Sequence, residues 1–244
     1  MKAVAIVMLA ALVALVALVA SHARADEPQL APYVADYDVK YGSISVGSSR
    51  MELRRTATPG QWQMESRSTA SGLARLIAGG TLVQRSTFQL EADGMRPLSY
   101  RFDDGMKRSE KDVTLDFDWA AGRVKGVSEG APVDIASEAG LQDAASMQAF
   151  VLLRLNGGAE PGIIPMIEKN KIKYYRYTFL RRERLKTALG QLDTIVYRSA
   201  RDGKPGETLL WYAPALGNVS VQAEQREDGR RKFQTYIKAY RPRS

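Results

Sequence analysis

Two carboxylates stand two residues apart, next to a tryptophan, in the stretch VTLDFDWAAGRV. Aspartate pairs of this kind act as acid and base in glycoside hydrolysis, and carboxylate oxygens also bind hard metal ions. Asp116 and Asp118 are therefore the first residues of this chain whose types could carry out chemistry. A glycosidase pair, however, must flank the bond that it cleaves, and two residues on one side of one strand do not.

The neighbours of the two aspartates favour a plainer interpretation. In a β-strand alternate residues point to opposite faces, so Leu115 and Phe117 share one face and the aspartates share the other. We predict a solvated or salt-bridged strand face, with Arg123 or Lys125 as the partners. An acid-pair hydrolase that acts on glycan is the lesser alternative.

The start of the chain has the order of a secretory signal peptide. Lys2 is followed by an unbroken apolar run from Ala3 to Ala20, and the small residues Ala23 and Ala25 mark a cleavage site. We expect cleavage after residue 25 and export to the periplasm of a Gram-negative bacterium. The rival interpretation is an uncleaved membrane anchor, since the apolar run is just long enough to span a bilayer.

Removal of residues 1–25 takes away the only histidine, His22, and the chain has no cysteine. A Ser-His-Asp or Cys-His mechanism needs an imidazole or a thiolate. Zinc, copper, haem and iron–sulfur sites generally need His or Cys ligands. Carboxylate, Lys, Tyr or Ser–Lys chemistry stays possible, or no catalysis at all. We expect no catalytic residues, no metal and no cofactor. Without cysteine no disulfide can form, so the fold must rest on its core.

Two-fold alternation of apolar and polar residues dominates the rest of the chain. Runs such as YVADYDVKYGSISVGSSRMELRR, GQWQMESRSTAS and TLVQRSTFQLEADG are bounded by Gly, Pro or Asp-Gly. This pattern predicts half-buried antiparallel strands joined by short turns. We expect a single, mostly β domain over residues 26–244, in which an antiparallel curved sheet forms a β-roll or an incomplete barrel.

The segment LQDAASMQAFVLLRLNGG breaks this pattern and predicts one central amphipathic α-helix at about residues 143–156. Apolar residues such as Met147 and Val151 recur at helical spacing, Asp143 is placed to cap the first turn, and a glycine pair ends the helix. We expect the helix to pack on the concave face of the sheet and to plug the incomplete barrel.

Positive charge is concentrated in the second half of the chain. Beyond residue 25 the net charge is +6, because Lys2 and Arg24 are lost from 35 basic residues that face 27 acidic ones. The candidate ligand- or membrane-facing surface consists of Lys169, Lys171, Lys173, Arg176, Arg181, Arg182, Arg184 and Lys186, with Tyr174, Tyr175 and Tyr177.

Basic residues mixed with aromatic ones bind single-stranded nucleic acid in other proteins, but an exported protein does not meet that ligand. Anionic lipid, lipopolysaccharide or an envelope protein suits the same residue types. The alternative is a long hairpin whose solvent face is basic, which also discourages edge-to-edge aggregation.

The segment SGLARLIAGG, from Ser71 to Gly80, is apolar and flanked by glycine. It predicts either a buried connector or a flap over a cavity, with Leu73, Leu76 and Ile77 facing inward.

Several stretches together resemble domain-of-unknown-function family 3108, a bacterial family of exported proteins. They are YVADYDVKYGSISVG, LDFDWAAGRV, LQDAASMQAFVLLRL and TLLWYAPALGNVSVQAEQREDG, of which the last two are the most specific. The resemblance implies a periplasmic, mostly antiparallel β-protein with a curved or rolled sheet, and it supplies no catalytic residues. A looser likeness, of architecture alone, links this expected fold to lipoprotein carriers, whose unclosed barrels wrap a helix.

These patterns favour a non-catalytic periplasmic envelope protein that binds or carries an amphipathic, lipid-like ligand. The first alternative is a structural or assembly factor that pairs with a protein partner through a sheet edge. We expect a monomer and leave a dimer open.

Overall fold

A single antiparallel sheet of 14 strands makes up most of the protein. The computed structural model describes residues 30–72, 80–91, 94–106 and 111–243. The strands are β1 (Tyr33–Tyr41), β2 (Ile44–Arg55), β3 (Gln61–Ala70), β4 (Thr81–Glu91), β5 (Gly94–Asp103), β6 (Val113–Asp118), β7 (Arg123–Ser128), β8 (Ala131–Ala136), β9 (Ile163–Glu168), β10 (Lys171–Thr187), β11 (Gly190–Arg201), β12 (Gly206–Ala213), β13 (Val219–Glu227) and β14 (Arg230–Pro242). The described residues also contain one α-helix, α1 (Ser146–Asn156), and a short 3₁₀ helix (Pro214–Leu216).

Two meanders meet at the first and last strands of the chain. The strand order is β8-β7-β6-β5-β4-β3-β2-β1-β14-β13-β12-β11-β10-β9, and neighbouring strands run antiparallel. At the centre, Tyr33 of β1 lies opposite Pro242 of β14, and Tyr41 lies opposite Phe233. The outer strands β8 and β9 are not paired with each other in the described sheet, so it curves without closing. This confirms the predicted mostly β fold with an antiparallel, curved, unclosed sheet.

Tight turns join neighbouring strands where the sequence places glycine. Asp228 and Gly229, between β13 and β14, have φ angles of 49° and 72°. Two consecutive residues with positive φ form the turn whose twist matches that of paired strands, and glycine takes this backbone conformation without a steric penalty. The Asp-Gly turn predicted here from the sequence is therefore confirmed.

The core lies on the concave face of the sheet and around α1. Its buried apolar side chains include Tyr33, Ala35 and Tyr37 of β1, Leu53 of β2, Trp62 and Met64 of β3, Phe88 of β4, Leu115 of β6, Tyr212 of β12 and Ile237 of β14. The helix packs against β3 and β4. Near its end, Asn218 Nδ2 donates a hydrogen bond of 2.8 Å to Asn156 Oδ1, which links the helix to the start of β13. The helix thus contacts the first meander through β3 and β4 and the second meander through Asn218, which agrees with the predicted packing of the helix on the sheet.

The helix begins at Ser146, three residues later than the sequence predicted. Gln142 is held against β9, since its N–H donates to Pro165 O and its carbonyl accepts from Ile167 N, both at 2.9 Å. The chain must then change direction, and residues 143–145 form a turn instead of a first helical turn. The buried face also differs from the predicted stripe: Val151 is buried, but Met147 is only half-buried. The buried helical residues are Ser146, Ala149, Val151, Leu152 and Leu153.

The predicted signal peptide, with Ala23 and Ala25, lies outside the described residues. Among the helices that the structure does describe, none combines the length and the apolar composition needed to cross a bilayer.

Candidate ligand-binding site

The half-barrel carries a cleft at the end opposite α1. This end is formed by the β1–β2 turn, the β13–β14 turn and the first residues of β4. A cleft of about 560 Å³ lies there, which we call the mouth cleft. It is lined by Val39, Tyr41, Val46, Gly47, Ser48, Ser68, Thr69, Ala70, Gly80, Leu82 and Phe233.

Strand alternation makes the mouth cleft apolar. Val39 and Tyr41 continue the row of inward residues that begins at Tyr33, and Leu82 lies opposite Ser68 across the β3–β4 pair. The rings of Tyr41 and Phe233 meet edge to face with centroids 5.1 Å apart. These large side chains stay accessible, with 46% of Tyr41, 45% of Phe233 and 38% of Leu82 exposed. Contiguous exposed apolar surface of this kind marks binding sites in soluble proteins.

A layer of serine hydroxyls separates the mouth cleft from the apolar core. Ser68 Oγ donates to Ser49 Oγ at 3.0 Å, and Ser49 Oγ lies 3.4 Å from Ser66 Oγ. Farther from the mouth, Ser86 Oγ donates to Asp143 Oδ2 at 2.6 Å. The hydroxyls of this layer thus bond to one another or to Asp143.

Asp143 is a fully buried carboxylate at the start of the helical segment. Its Oδ1 accepts from the N–H groups of Ala145 and Ser146 at 2.9 Å and 2.8 Å, and its Oδ2 accepts from Ser86. Burial raises the pKa of Asp143 to about 6, against the opposing effect of these hydrogen bonds. The sequence predicted a cap at this residue, but not that the cap is buried and bonded to the sheet.

Buried tyrosines of β1, β10, β11 and β12 belong to the core. Burial raises the pKa of Tyr177 to about 12 and holds the pKa values of Tyr37 and Tyr212 well above their usual range. Tyr37 donates its hydroxyl proton to Ser220 O at 2.8 Å, and the ring of Tyr197 meets that of Tyr212 edge to face. These phenols stay protonated at neutral pH, so they offer packing surface and not general bases.

Strand β10 divides the predicted basic surface between its two faces. One face, continuous with the buried Tyr177, carries Lys171, Lys173, Tyr175 and, beyond a bulge, Arg182, Arg184 and Lys186. The other face carries Tyr174, Arg176 and Arg181. Lys169 lies in the turn before the strand. The residues therefore do not form one continuous surface, because alternation in a strand sends neighbours to opposite sides.

Half of these basic residues are held in ion pairs. The pairs are Lys169 with Glu129 at 2.7 Å, Arg176 with Asp202 at 2.9 Å, Arg181 with Glu183 at 2.8 Å and Arg184 with Asp193 at 3.5 Å. Within the part of the chain that the structure describes, Lys171, Lys173, Arg182 and Lys186 have no ion pair, and all four lie on the face that carries Tyr177.

The aspartate pair is a solvated, salt-bridged strand face, as predicted. Leu115 and Phe117 of β6 are buried, whereas Asp116 and Asp118 are exposed. The predicted partners were wrong: Asp116 pairs with Arg101 of the neighbouring β5 at 2.6 Å, and Asp118 Oδ1 accepts from Ala121 N.

Both basic residues named as partners of the aspartates have other environments. Arg123 pairs with Asp134 of β8 at 2.7 Å. Lys125 lies across from Asp116 but makes no ion pair with it. The order of strands explains the difference: β6 lies between β5 and β7, and Asp116 pairs with Arg101 of β5 instead of a basic residue of β7.

The sequence analysis did not identify two further groupings. Asp103, Asp104 and Asp112 place carboxylate oxygens within 4.8 Å of one another, and each also accepts a backbone N–H. Beside α1, a groove of about 660 Å³ contains Arg154 and Trp119, with the Arg96 guanidinium 5.9 Å from the Trp119 ring centre. Neither grouping has a local motif that could have revealed it.

The two outer strands are poor templates for a further strand. β8 contains Pro132, and β9 contains Pro165 and is already bridged by Gln142. Proline lacks the N–H that a pairing strand needs and is typical of protected sheet edges. These edges weigh against a partner that binds by strand addition.

The apolar segment from Ser71 to Gly80 remains an open prediction. Its residues 73–79, which include the three predicted inward-facing side chains, lie outside the described residues.

The comparisons with known proteins agree with this architecture. The family model DUF3108, described as a protein of unknown function, matches residues 36–233. The chain therefore belongs to the DUF3108 family, as the sequence resemblance indicated. No curated protein sequence matches this chain.

A solved structure shows the same fold at low sequence identity. The beta-barrel-like protein of domain of unknown function DUF1849 from Brucella abortus is similar with a TM-score of 0.57 and 11% identity, over 88% of this chain and 99% of that chain. A protein provisionally described as a lipoprotein of Parabacteroides distasonis has a TM-score of 0.37 and 10% identity, over 88% of this chain and 97% of that chain. The first likeness shows the fold alone, and the second carries no argument.

Proposed function

We propose that this protein is a non-catalytic, exported protein of the Gram-negative envelope that binds an amphipathic, lipid-like molecule in the mouth cleft. The observation that carries the proposal is the accessible apolar surface of Tyr41, Leu82 and Phe233 at one end of a half-barrel. Exposed apolar area costs about 25 cal/mol per Å² relative to burial, so a site that covers it gains affinity.

The dimensions of the cleft suit an acyl chain. Its volume of about 560 Å³ falls in the range typical of small-molecule sites, which are concave and mostly apolar. The serine layer around Ser49 and Ser66 and the helix beyond it fill the interior. A ligand therefore enters at the mouth and lies along the apolar wall, with its polar end toward solvent.

The residues around the cleft support binding and not turnover. The polar side chains that line it are the hydroxyl groups of Tyr41, Ser48, Ser68 and Thr69. None of these lining residues is an acid, an amine or an imidazole that could serve as a general base. The chain beyond residue 25 has no histidine and no cysteine.

The basic residues of β10 supply a membrane-docking face in this proposal. Lys171, Lys173, Arg182 and Lys186 lie on the face that carries Tyr177 and are free of ion pairs within the described residues. Positive charge that is not neutralised by a neighbouring carboxylate is available to anionic lipid or lipopolysaccharide phosphates.

The test is displacement of the apolar dye Nile red from purified protein (residues 26–244) by a myristoyl lysophospholipid. We expect saturable dye binding that the lysolipid displaces, and loss of both in Leu82→Asp. Val127→Asp is the matched control, because Val127 is an exposed apolar strand residue outside the cleft. Equal binding by the two variants, with both folded by circular dichroism, would refute the assignment of the site.

A further inference from the structure

A second cleft adjoins the mouth cleft and is basic. It has a volume of about 480 Å³ and shares Tyr41 and Phe233 with the mouth cleft. Its charged lining residues are Arg201, Lys204, Arg226, Lys232 and Glu227, which are four cations and one carboxylate. We call it the basic cleft.

We infer that the basic cleft binds the anionic headgroup of a single-chain amphiphile whose acyl chain lies in the mouth cleft. This inference rests on the proposed function and names the ligand class of the same site: an amphiphile with a phosphate or carboxylate head.

Two of the cations in the basic cleft, Lys204 and Lys232, have no ion pair or only a long one among the described residues. Lys204 lies exposed in the β11–β12 turn and has no ion pair among the described residues. Lys232 reaches Glu227 only at 3.8 Å. Both ammonium groups can therefore turn toward a negative group in the cleft without breaking a short bond.

Each of the two arginines in the cleft has an acidic partner, and one of these partners is shared. Arg226 Nη2 donates to Glu224 Oε2 at 2.7 Å, but Arg231 also lies 3.5 Å from that oxygen. One carboxylate thus serves two arginines. Arg226 Nε is buried and has no hydrogen-bond partner among the described residues. Arg201 pairs with Glu168 at 2.8 Å.

The shared aromatic pair connects the two clefts. Tyr41 and Phe233 pair across β1 and β14. The basic side chains come from the neighbouring ends of β11, β13 and β14 and, for Lys204, from the β11–β12 turn. An apolar wall that passes into a cluster of cations at its solvent end matches the order of groups in an anionic amphiphile. Aromatic rings are favourable at such a boundary between apolar and wet regions.

The experiment compares two lysolipids with the same myristoyl chain, below their critical micelle concentrations, by isothermal titration to residues 26–244. Lysophosphatidylglycerol is anionic and lysophosphatidylcholine is zwitterionic. We expect the anionic lipid to bind about tenfold more tightly at low salt, with a smaller preference at high salt. Lys204→Gln combined with Lys232→Gln should abolish the preference, with a larger loss of affinity for lysophosphatidylglycerol than for lysophosphatidylcholine.

The matched control is Lys125→Gln combined with Lys238→Gln. It removes one exposed lysine that has no ion pair among the described residues and one lysine that is weakly paired at 3.5 Å. This control should keep the preference. Equal affinity of the wild type for the two lipids, or a preference that survives in the Lys204/Lys232 variant, would overturn the headgroup site while the mouth cleft stands. Binding of neither lipid would refute the proposed function itself. Inorganic phosphate that binds as tightly as the anionic lipid would overturn the linked site, since an acyl chain would then contribute nothing.

Discussion

Ser86 of β4 donates a 2.6 Å hydrogen bond to Asp143, which lies 57 residues later in the chain and starts the helical segment. Both side chains are fully buried. The same carboxylate accepts hydrogen bonds from the N–H groups of Ala145 and Ser146. One side chain therefore satisfies the backbone donors of the turn and fixes the turn to the sheet. The position of α1 in the half-barrel depends on this contact.

Removing the carboxylate should destabilise the protein. Asp143→Ala leaves two buried N–H groups and the Ser86 hydroxyl without their acceptor, which should lower the free energy of unfolding by about 2–4 kcal/mol. Asp143→Asn keeps a carbonyl oxygen for the N–H groups and should cost less. Urea unfolding at pH 7 measures both variants. Equal losses for alanine and asparagine would contradict the capping role.

The free energy of unfolding should also depend on pH, because Asp143 titrates. Its pKa is about 6 in the folded protein against an ordinary value of 3.8, so the folded state binds the proton more tightly. The contribution is therefore greatest below about pH 4 and is lost as the pH rises through 6, on the order of 3 kcal/mol in total. Tyr100, which also faces Asp143, has a pKa raised by burial and does not titrate in this window.

The measurement for this pH dependence is the difference in unfolding free energy between wild type and Asp143→Asn from pH 4 to pH 7.5. Asparagine does not ionise, so the wild type should lose stability relative to Asp143→Asn as the pH rises. A difference that is independent of pH would show that Asp143 is not the titrating group.

Gly47, in the wall of the mouth cleft, should not tolerate a side chain. A Cβ at this residue would overlap the carbonyl oxygen of Thr69 on β3, which is backbone and cannot move aside alone. Gly47→Ala should cost about 1–3 kcal/mol of stability, the usual range for overpacking. Gly206→Ala is the control, because the nearest atom to its added Cβ lies at 3.8 Å. Thermal unfolding of both variants measures the difference. A Gly47→Ala variant as stable as Gly206→Ala would contradict the close approach of β2 and β3.

Binding to anionic vesicles should depend on the basic residues that lack ion pairs. We expect Arg182→Glu with Lys186→Glu to weaken binding to phosphatidylglycerol vesicles in a sedimentation assay. Arg176→Glu with Arg181→Glu should have a smaller effect, because Asp202 and Glu183 already neutralise those side chains. Equal effects of the two pairs, or no vesicle binding by the wild type, would exclude the docking face on β10.

The sheet was predictable because its determinants are local. Alternation around Tyr33, Tyr37 and Leu115 identified the buried faces, and Asp-Gly turns marked strand ends. The order of strands was not predictable, since the pairing of β1 with β14 joins residues about 200 apart. Arg101 could not be identified as the partner of Asp116 either, because strands flank β6 on both sides and the alternation pattern does not say which neighbour supplies the ion pair.

The candidate site was less predictable than the fold. The mouth cleft combines residues of β1, β2, β3, β4 and β14, and none of them forms a motif in the sequence. The high density of positive charge in the sequence favoured the segment Lys169–Lys186 instead. In the structure, neighbouring side chains of this strand point to opposite faces, and half of the basic residues are neutralised by ion pairs. In the basic cleft, Arg201 and Lys232 come from different hairpins, so charge density along the chain could not indicate it.

The central claim is that the mouth cleft holds an amphipathic ligand. Native mass spectrometry of the protein, purified from its own cells and followed by solvent extraction, tests it most directly. We expect a co-purifying molecule of defined mass that carries an acyl chain and an anionic head, and that is absent from Leu82→Asp prepared in the same way. A protein mass without any adduct, together with a lipid-free extract, would contradict the account and make crosslinking to a protein partner the next experiment.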